Sequence, residues 1–136
     1  MSKLSMERLD ALLSGVSEQY SSRLLAAVRF AVEAGQQTLS RFCKHDLQVE
    51  KKNDKSPVTE ADKNAELLLR ERIQHSFPHD AIVGEEFENI EGTSEYRWIV
   101  DPIDGTKSFI CGVPLYATLV GVEWGDESRI LSLIHI

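Results

Sequence analysis

Asp101, Asp104 and Thr106 share one short stretch, Trp98-Ile99-Val100-Asp101-Pro102-Ile103-Asp104-Gly105-Thr106-Lys107-Ser108-Phe109. Trp98 to Val100 reads as a short buried strand. Pro102 fixes φ and cannot extend a sheet ladder, and Gly105 permits a bend that other residues resist. The strand is therefore expected to stop abruptly, with two carboxylates leaving a tight turn side by side. Such a pair repels unless a positive charge stands between them. Hard divalent cations, Mg²⁺ or Ca²⁺, take oxygen ligands of this kind. A second apolar run, Ala81-Ile82-Val83, ends in Gly84-Glu85-Glu86. If the two strands are neighbours, Glu85, Asp101 and Asp104 converge at one sheet edge, and the Ile103 carbonyl points the same way. Taken singly, each acid reads as an ordinary solvated side chain. Taken together with the Asp-Gly-Thr step, the metal reading leads.

Gly105 and Thr106 also suit an oxyanion, since a helix starting there would offer free N–H groups and a favourable dipole. The Thr106 hydroxyl fits the task of holding an attacking water, and it fits equally a helix N-cap. Asp62 can accept the Thr106 proton; locally it is also a capping carboxylate in the first turn of a helix. His75 and His79 are four apart, but Pro78 lies between them and breaks a shared helix face, so no ligand pair is expected. His45 and His135 have no visible partner. Cys111 lies close to the motif, where a buried inert thiol is the expectation. Lys107 fits both a phosphate contact and a surface position.

The elements that must position these residues follow from periodicity. Met1 to Gly15 reads as an amphipathic helix with a weak stop at Ser14-Gly15. Tyr20, Leu24, Val28, Ala31, Gly35 and Leu39 define one face of a long helix ending near Phe42 to His45. Gly35 costs it about 1 kcal/mol against alanine, which a close neighbour would justify. Leu47 and Val49 alternate with Gln48 and Glu50 as a short strand, and Asn53 to Pro57 is a polar turn. Thr59, followed three residues later by Asp62, resembles a capping arrangement. The helix it opens carries Ala65, Leu68, Leu69 and Ile73 to a core and closes before Phe77-Pro78. Residues 87–97 read as a surface excursion. Pro114 to Val122 reads as a strand, Gly125-Asp126 as a hairpin turn, and Arg129 to Ile136 as the partner strand.

The chain of 136 residues suffices for one ordinary domain, and its 42% hydrophobic content allows a core. A net charge of −7 argues against a nucleic-acid surface. It leaves room for an anionic substrate, because bound cations reverse the local field. Two cysteines, Cys43 and Cys111, suggest free thiols in a reducing compartment. No apolar run is long enough for a membrane span, and no secretory signal is visible, so a cytoplasmic protein is expected.

The stretches Val58-Thr59-Glu60-Ala61-Asp62, Gly84-Glu85-Glu86 and Trp98 to Thr106 occur in the order and spacing of the inositol monophosphatase family, which the chain resembles from about Leu24 onward. The continuation Lys107-Ser108-Phe109-Ile110, then Gly112-Val113-Pro114-Leu115, is similar to the histidinol-phosphate phosphatase branch. The resemblance implies an α/β fold (α+β layered), with alternating helix and sheet layers, and Mg²⁺ held by Glu85, Asp101, Asp104 and the Ile103 carbonyl. It implies that Thr106 and Asp62 activate water, and that Glu85, Ile103, Asp104, Gly105 and Thr106 lie against the substrate. It places Lys51 near the site. It further implies a homodimer, lithium inhibition, and a second half carrying another metal-binding aspartate in a Trp-Asp motif. The expected organisation is a helical extension over residues 1–19 and the N-terminal α+β half over 20–136. The chain ends mid-strand, so a portion of a longer protein is expected, weak or inactive when isolated.

The reaction this implies is hydrolysis of a phosphate monoester by metal-activated water, without a covalent intermediate. Histidinol phosphate leads as substrate, ahead of an inositol phosphate or a 3′-phosphonucleotide. A haloacid-dehalogenase phosphatase would place one residue between its aspartates; here Pro102 and Ile103 separate them. A calcium loop would want glutamate at its twelfth position, where Gly112 stands when counting from Asp101. A non-enzymatic remnant with a structural or dimerising role is the remaining alternative, although all the motif acids are intact.

Overall fold

The computed structural model describes residues 18–44, 47, 49–51, 57–125 and 127–134. The expected helix over Met1 to Gly15, together with His45, Asp126 and His135, lies outside these residues. Helix α1 (Glu18–Arg41) leads to a hairpin of β1 (Val49–Lys51) and β2 (Pro57–Thr59). Then come α2 (Glu60–Ser76), β3 (Ala81–Gly84), β4 (Tyr96–Asp104), the short α3 (Thr106–Ile110), β5 (Ala117–Trp124) and β6 (Glu127–Ile134). The main sheet has the order β3-β4-β5-β6. β3 runs parallel to β4, and the remaining pairs are antiparallel. Helices plus a mixed sheet make the α/β layered architecture expected from the sequence.

Helix α1 packs against α2 and against β4, β5 and β6. Its buried face runs through Tyr20, Leu24, Ala27, Ala31, Ala34, Gly35 and Thr38. This departs from the expected stripe at its end: Leu39 is 42% exposed. A period of 3.6 residues carries the buried arc to Thr38 instead, whose hydroxyl donates to the Gly35 carbonyl at 2.8 Å. The small residues Ala27, Ala31 and Ala34 line the seam and permit close approach. Together with Leu69, Ile73, Ile82, Trp98, Val100, Val120 and Val122 they form the main core. Tyr20 is anchored at both ends of its ring: it meets Tyr96 and Trp124 edge-on, and its hydroxyl donates to the Val122 carbonyl at 2.7 Å.

Several sequence expectations need correction. β4 does not stop at Val100. It runs to Asp104, with a register irregularity between Asp101, paired with Leu119, and Asp104, paired with Ala117. Pro102 lacks an N–H for the ladder, so it sits in this irregularity, and its carbonyl accepts the buried Thr118 hydroxyl at 2.9 Å. The Trp98–Val100 run is buried on one face only: Trp98 and Val100 point into the core while Ile99 is 36% exposed. The loop before β4 ends earlier than expected, because Tyr96 already belongs to the strand and Ile90 exchanges two backbone hydrogen bonds with Ile82. β5 begins at Ala117, leaving Pro114 and the 73%-exposed Leu115 outside it. Pro57, expected in a turn, opens β2, a position a proline tolerates. The short strand expected here is present as β1, exposed throughout, while Leu47 before it packs against the cluster of Ala61, Ile103, Phe109 and Tyr116.

Candidate active site

The N-terminus of α2 fixes the first functional side chain. Thr59 has extended backbone angles and caps the helix, and its hydroxyl accepts the Asp62 N–H at 3.2 Å. The Asp62 carboxylate reaches back to the Thr59 N–H at 2.9 Å and takes the Thr59 hydroxyl proton. This reciprocal box satisfies two helix-end donors and locks the Asp62 rotamer. Asp62 is 1% exposed. Its other oxygen, Oδ1, accepts the Thr106 hydroxyl at 2.9 Å, so residues far apart in sequence meet as expected. Thr106 Oγ1 also lies 3.3 Å from the Ile103 carbonyl. A hydroxyl has one proton, and the shorter contact to a carboxylate takes it. The Thr106 oxygen therefore keeps its lone pairs for an incoming donor such as water.

Gly105 makes the turn that presents Thr106. Its φ of +101° suits glycine, and a Cβ there would lie 2.8 Å from the Leu115 carbonyl oxygen. The helix expected to start at this point is present as the five-residue α3, with Gly105 as its N-cap.

The acids come next. Gly84 pairs with Val100 across the parallel β3–β4 ladder, so Glu85, just past the end of β3, follows in register with Asp101, which is still within β4. Asp104 follows after the irregularity. The Asp101 carboxyl is pushed up from 3.8 to about 7, first by burial and then by the charges of Glu85, Asp104, Asp62 and Glu86. Burial and four neighbouring carboxylates both disfavour the charged form of Asp101. The chemistry of the donors fits a hard cation, since all are oxygens. Among the described residues, however, no three His, Cys, Asp or Glu side chains close on a common point tightly enough to hold an ion.

The remaining candidates separate from this corner. His75 ends α2 and His79 lies beyond Pro78; both are exposed. Cys111 is exposed rather than buried, which corrects the expectation of an inert core thiol; Cys43 is also exposed, and both are free. They lie in turns after α1 and α3, where no apolar face covers them. Lys107 is exposed on α3, and Lys51 is exposed on β1 opposite Pro57. A cavity of about 590 Å³ lined by Arg23, Ser94, Tyr96 and Trp124 opens at the other end of β4, and none of the site acids lines it.

Two functional neighbours escaped the sequence reading. Glu66 and Arg70 are both buried on α2, one and two turns beyond Asp62, and they bind each other with Arg70 Nε 3.0 Å from Glu66 Oε2. The signal was available: Asp62, Glu66 and Arg70 recur every four residues on the face that carries Ala65, Leu69 and Ile73.

The sequence profile of the inositol monophosphatase family matches residues 19–135. The chain is 50% identical over 100 residues to a histidinol-phosphatase of Chlorobaculum parvum, covering 74% of this chain and 39% of that protein. It is 46% identical over 108 residues to a histidinol-phosphatase of Streptomyces coelicolor, covering 79% and 40%. An inositol-1-monophosphatase of Rhizobium meliloti is 38% identical over 109 residues, covering 79% and 41%. Among solved structures, the extragenic suppressor protein suhB from Bartonella henselae superposes with a TM-score of 0.79 at 28% identity, covering 83% of this chain and 45% of that one. The chain thus spans about 40% of the length of the curated relatives it matches. With the family profile matching nearly the whole chain and the fold shared with a solved member, the chain belongs to the inositol monophosphatase family.

Proposed function

We propose that the protein carrying this chain hydrolyses a phosphate monoester, with histidinol phosphate as the leading substrate. The single observation that carries the reading is the Thr106 hydroxyl held 2.9 Å from a buried Asp62 beside the crowded acids. Glu85, Asp101, Asp104 and the Ile103 carbonyl are the residues that would hold Mg²⁺. When bound, the ions polarise the phosphate, lower the pKa of a water and stabilise the leaving oxygen. Asp62 holds the Thr106 hydroxyl in one orientation, and the Thr106 oxygen accepts a hydrogen bond from the attacking water. The paired Thr59 contacts keep Asp62 from rotating away. Gly105 and Thr106 stand where the phosphate is bound, and Glu85, Ile103 and Asp104 line the same edge. Water attack without an enzyme ester predicts inversion at phosphorus; retention, or a phosphorylated Asp101, would contradict it.

The histidinol reading rests on the names and identities of the relatives. The Rhizobium meliloti relative favours a second reading, an inositol phosphate, at lower identity. Phosphate release from histidinol phosphate, inositol 1-phosphate and a 3′-phosphonucleotide, side by side with the full-length protein and Mg²⁺, decides between them. A cytoplasmic homodimer completes the proposal, and sedimentation of the full-length protein tests the dimer. Among the described residues no helix is long and apolar enough to cross a membrane.

A further inference from the structure

Glu66 is fully buried, yet its carboxylate makes no contact with the Thr106–Asp62 pair in the mechanism above. It accepts three consecutive backbone N–H groups instead: Glu85 at 2.8 Å, Glu86 at 3.0 Å and Phe87 at 3.1 Å. Its fourth donor is Arg70 Nε at 3.0 Å. Arg70 continues the grip, donating to the Glu88 carbonyl at 2.8 Å and the Phe87 carbonyl at 3.1 Å. The turn after β3 is therefore held on its N–H side by one α2 residue and on its C=O side by the next. Gly84 belongs to the device, because a Cβ there would sit 2.7 Å from the Glu66 carboxyl. A buried ion pair of this kind is a poor source of stability compared with apolar packing. A rigid frame for the acids it carries is what the arrangement does supply.

We infer that Glu66 is a positioning residue: it fixes the turn at 84–87 so that Glu85 stands beside Asp101 and can share a divalent cation with it. The inference rests on the proposed metal-dependent reading. Since α2 also carries Asp62, one helix sets the spacing between Glu85 and the water-orienting pair.

The test uses full-length protein carrying Glu66→Gln. Glutamine keeps the shape, but it has one acceptor oxygen and turns an NH₂ group toward N–H donors. The expected result is amide exchange at Glu85, Glu86 and Phe87 faster by about tenfold or more, with exchange in β4 and β5 unchanged. Calorimetric titration with MgCl₂ is expected to show a Kd raised about tenfold, as for other residues that orient metal ligands. Gly84→Ala, which displaces the carboxylate without removing its charge, is expected to shift both readouts the same way and decides the matter if Glu66→Gln does not fold. Glu71→Gln, exposed on the same helix, is the control and should match wild type. Wild-type Mg²⁺ affinity in the folded variants would overturn the inference while leaving the metal reading intact. Absence of Mg²⁺ uptake by the wild type would overturn the reading itself, and the inference with it.

Discussion

Thr106 and Asp62 divide one task between them: the carboxylate fixes the proton, and the hydroxyl oxygen faces outward. Asp62→Asn loses the charge that takes the Thr106 proton, and Thr106→Ala loses the hydroxyl itself. Each is expected to lower kcat by about 10²- to 10⁴-fold with a smaller change in KM, measured as phosphate release by the full-length protein. Asp101 supplies a pH prediction. Burial and its carboxylate neighbours push its carboxyl up to about 7, above the roughly 3.9 of an unfolded chain. The folded state therefore binds more protons than the unfolded one between those values. Metal-free stability should fall as pH rises from about 4 to about 7 and level off above. Urea midpoints across that range check it, and a midpoint rising with pH would contradict it. The Thr106–Asp62 contact was legible in the sequence from the capping pattern and the Asp-Gly-Thr step, although the strand end expected at Val100 is absent because β4 runs on to Asp104. Glu66 and Arg70 were not, because a polar pair on an apolar helix face looks like an interruption in the periodicity until its backbone partners are seen.

At the scale of elements, the β3–β4 edge and the α2 N-terminus do the positioning. The capping box was legible from Thr59 and Asp62 alone, since its chemistry is local. The β4 irregularity was not: a proline seemed to end the strand, whereas the β5 Thr118 hydroxyl took up the Pro102 carbonyl and the ladder resumed. A buried cluster away from the site holds the sheet to α1. Asp80 accepts Arg23 Nε at 2.7 Å, Ser94 Oγ at 2.7 Å and Trp98 Nε1 at 2.9 Å. Burial alone would push this carboxyl up, but the hydrogen bonds from Arg23, Ser94 and Trp98 outweigh it and hold it below the usual range. Its contribution to stability is complete above the unfolded carboxylate value and is lost as pH falls through the lower folded value. Asp80→Ala is expected to cost about 3 kcal/mol, because it strands Arg23 and the Trp98 N–H. Lys63→Ala, which removes an exposed pair with Glu50, should change stability by less than about 0.5 kcal/mol. Denaturant titration of the two variants tests the contrast.

For the whole molecule, the individual helices and strands were legible from their periods, whereas the layered fold was expected through the resemblance to the inositol monophosphatase family, whose profile matches residues 19–135. The substrate was not legible, since the relatives that match carry the names of more than one phosphatase. The central claim is that Glu85, Asp101 and Asp104 gather a divalent cation beside the Thr106–Asp62 pair. Crystals of the protein soaked in MnCl₂ and measured for anomalous scattering test it most directly. The account predicts a strong peak bounded by these three carboxylates and the Ile103 carbonyl, absent in Asp101→Asn. A map with no peak there, or with manganese bound only elsewhere, would contradict it.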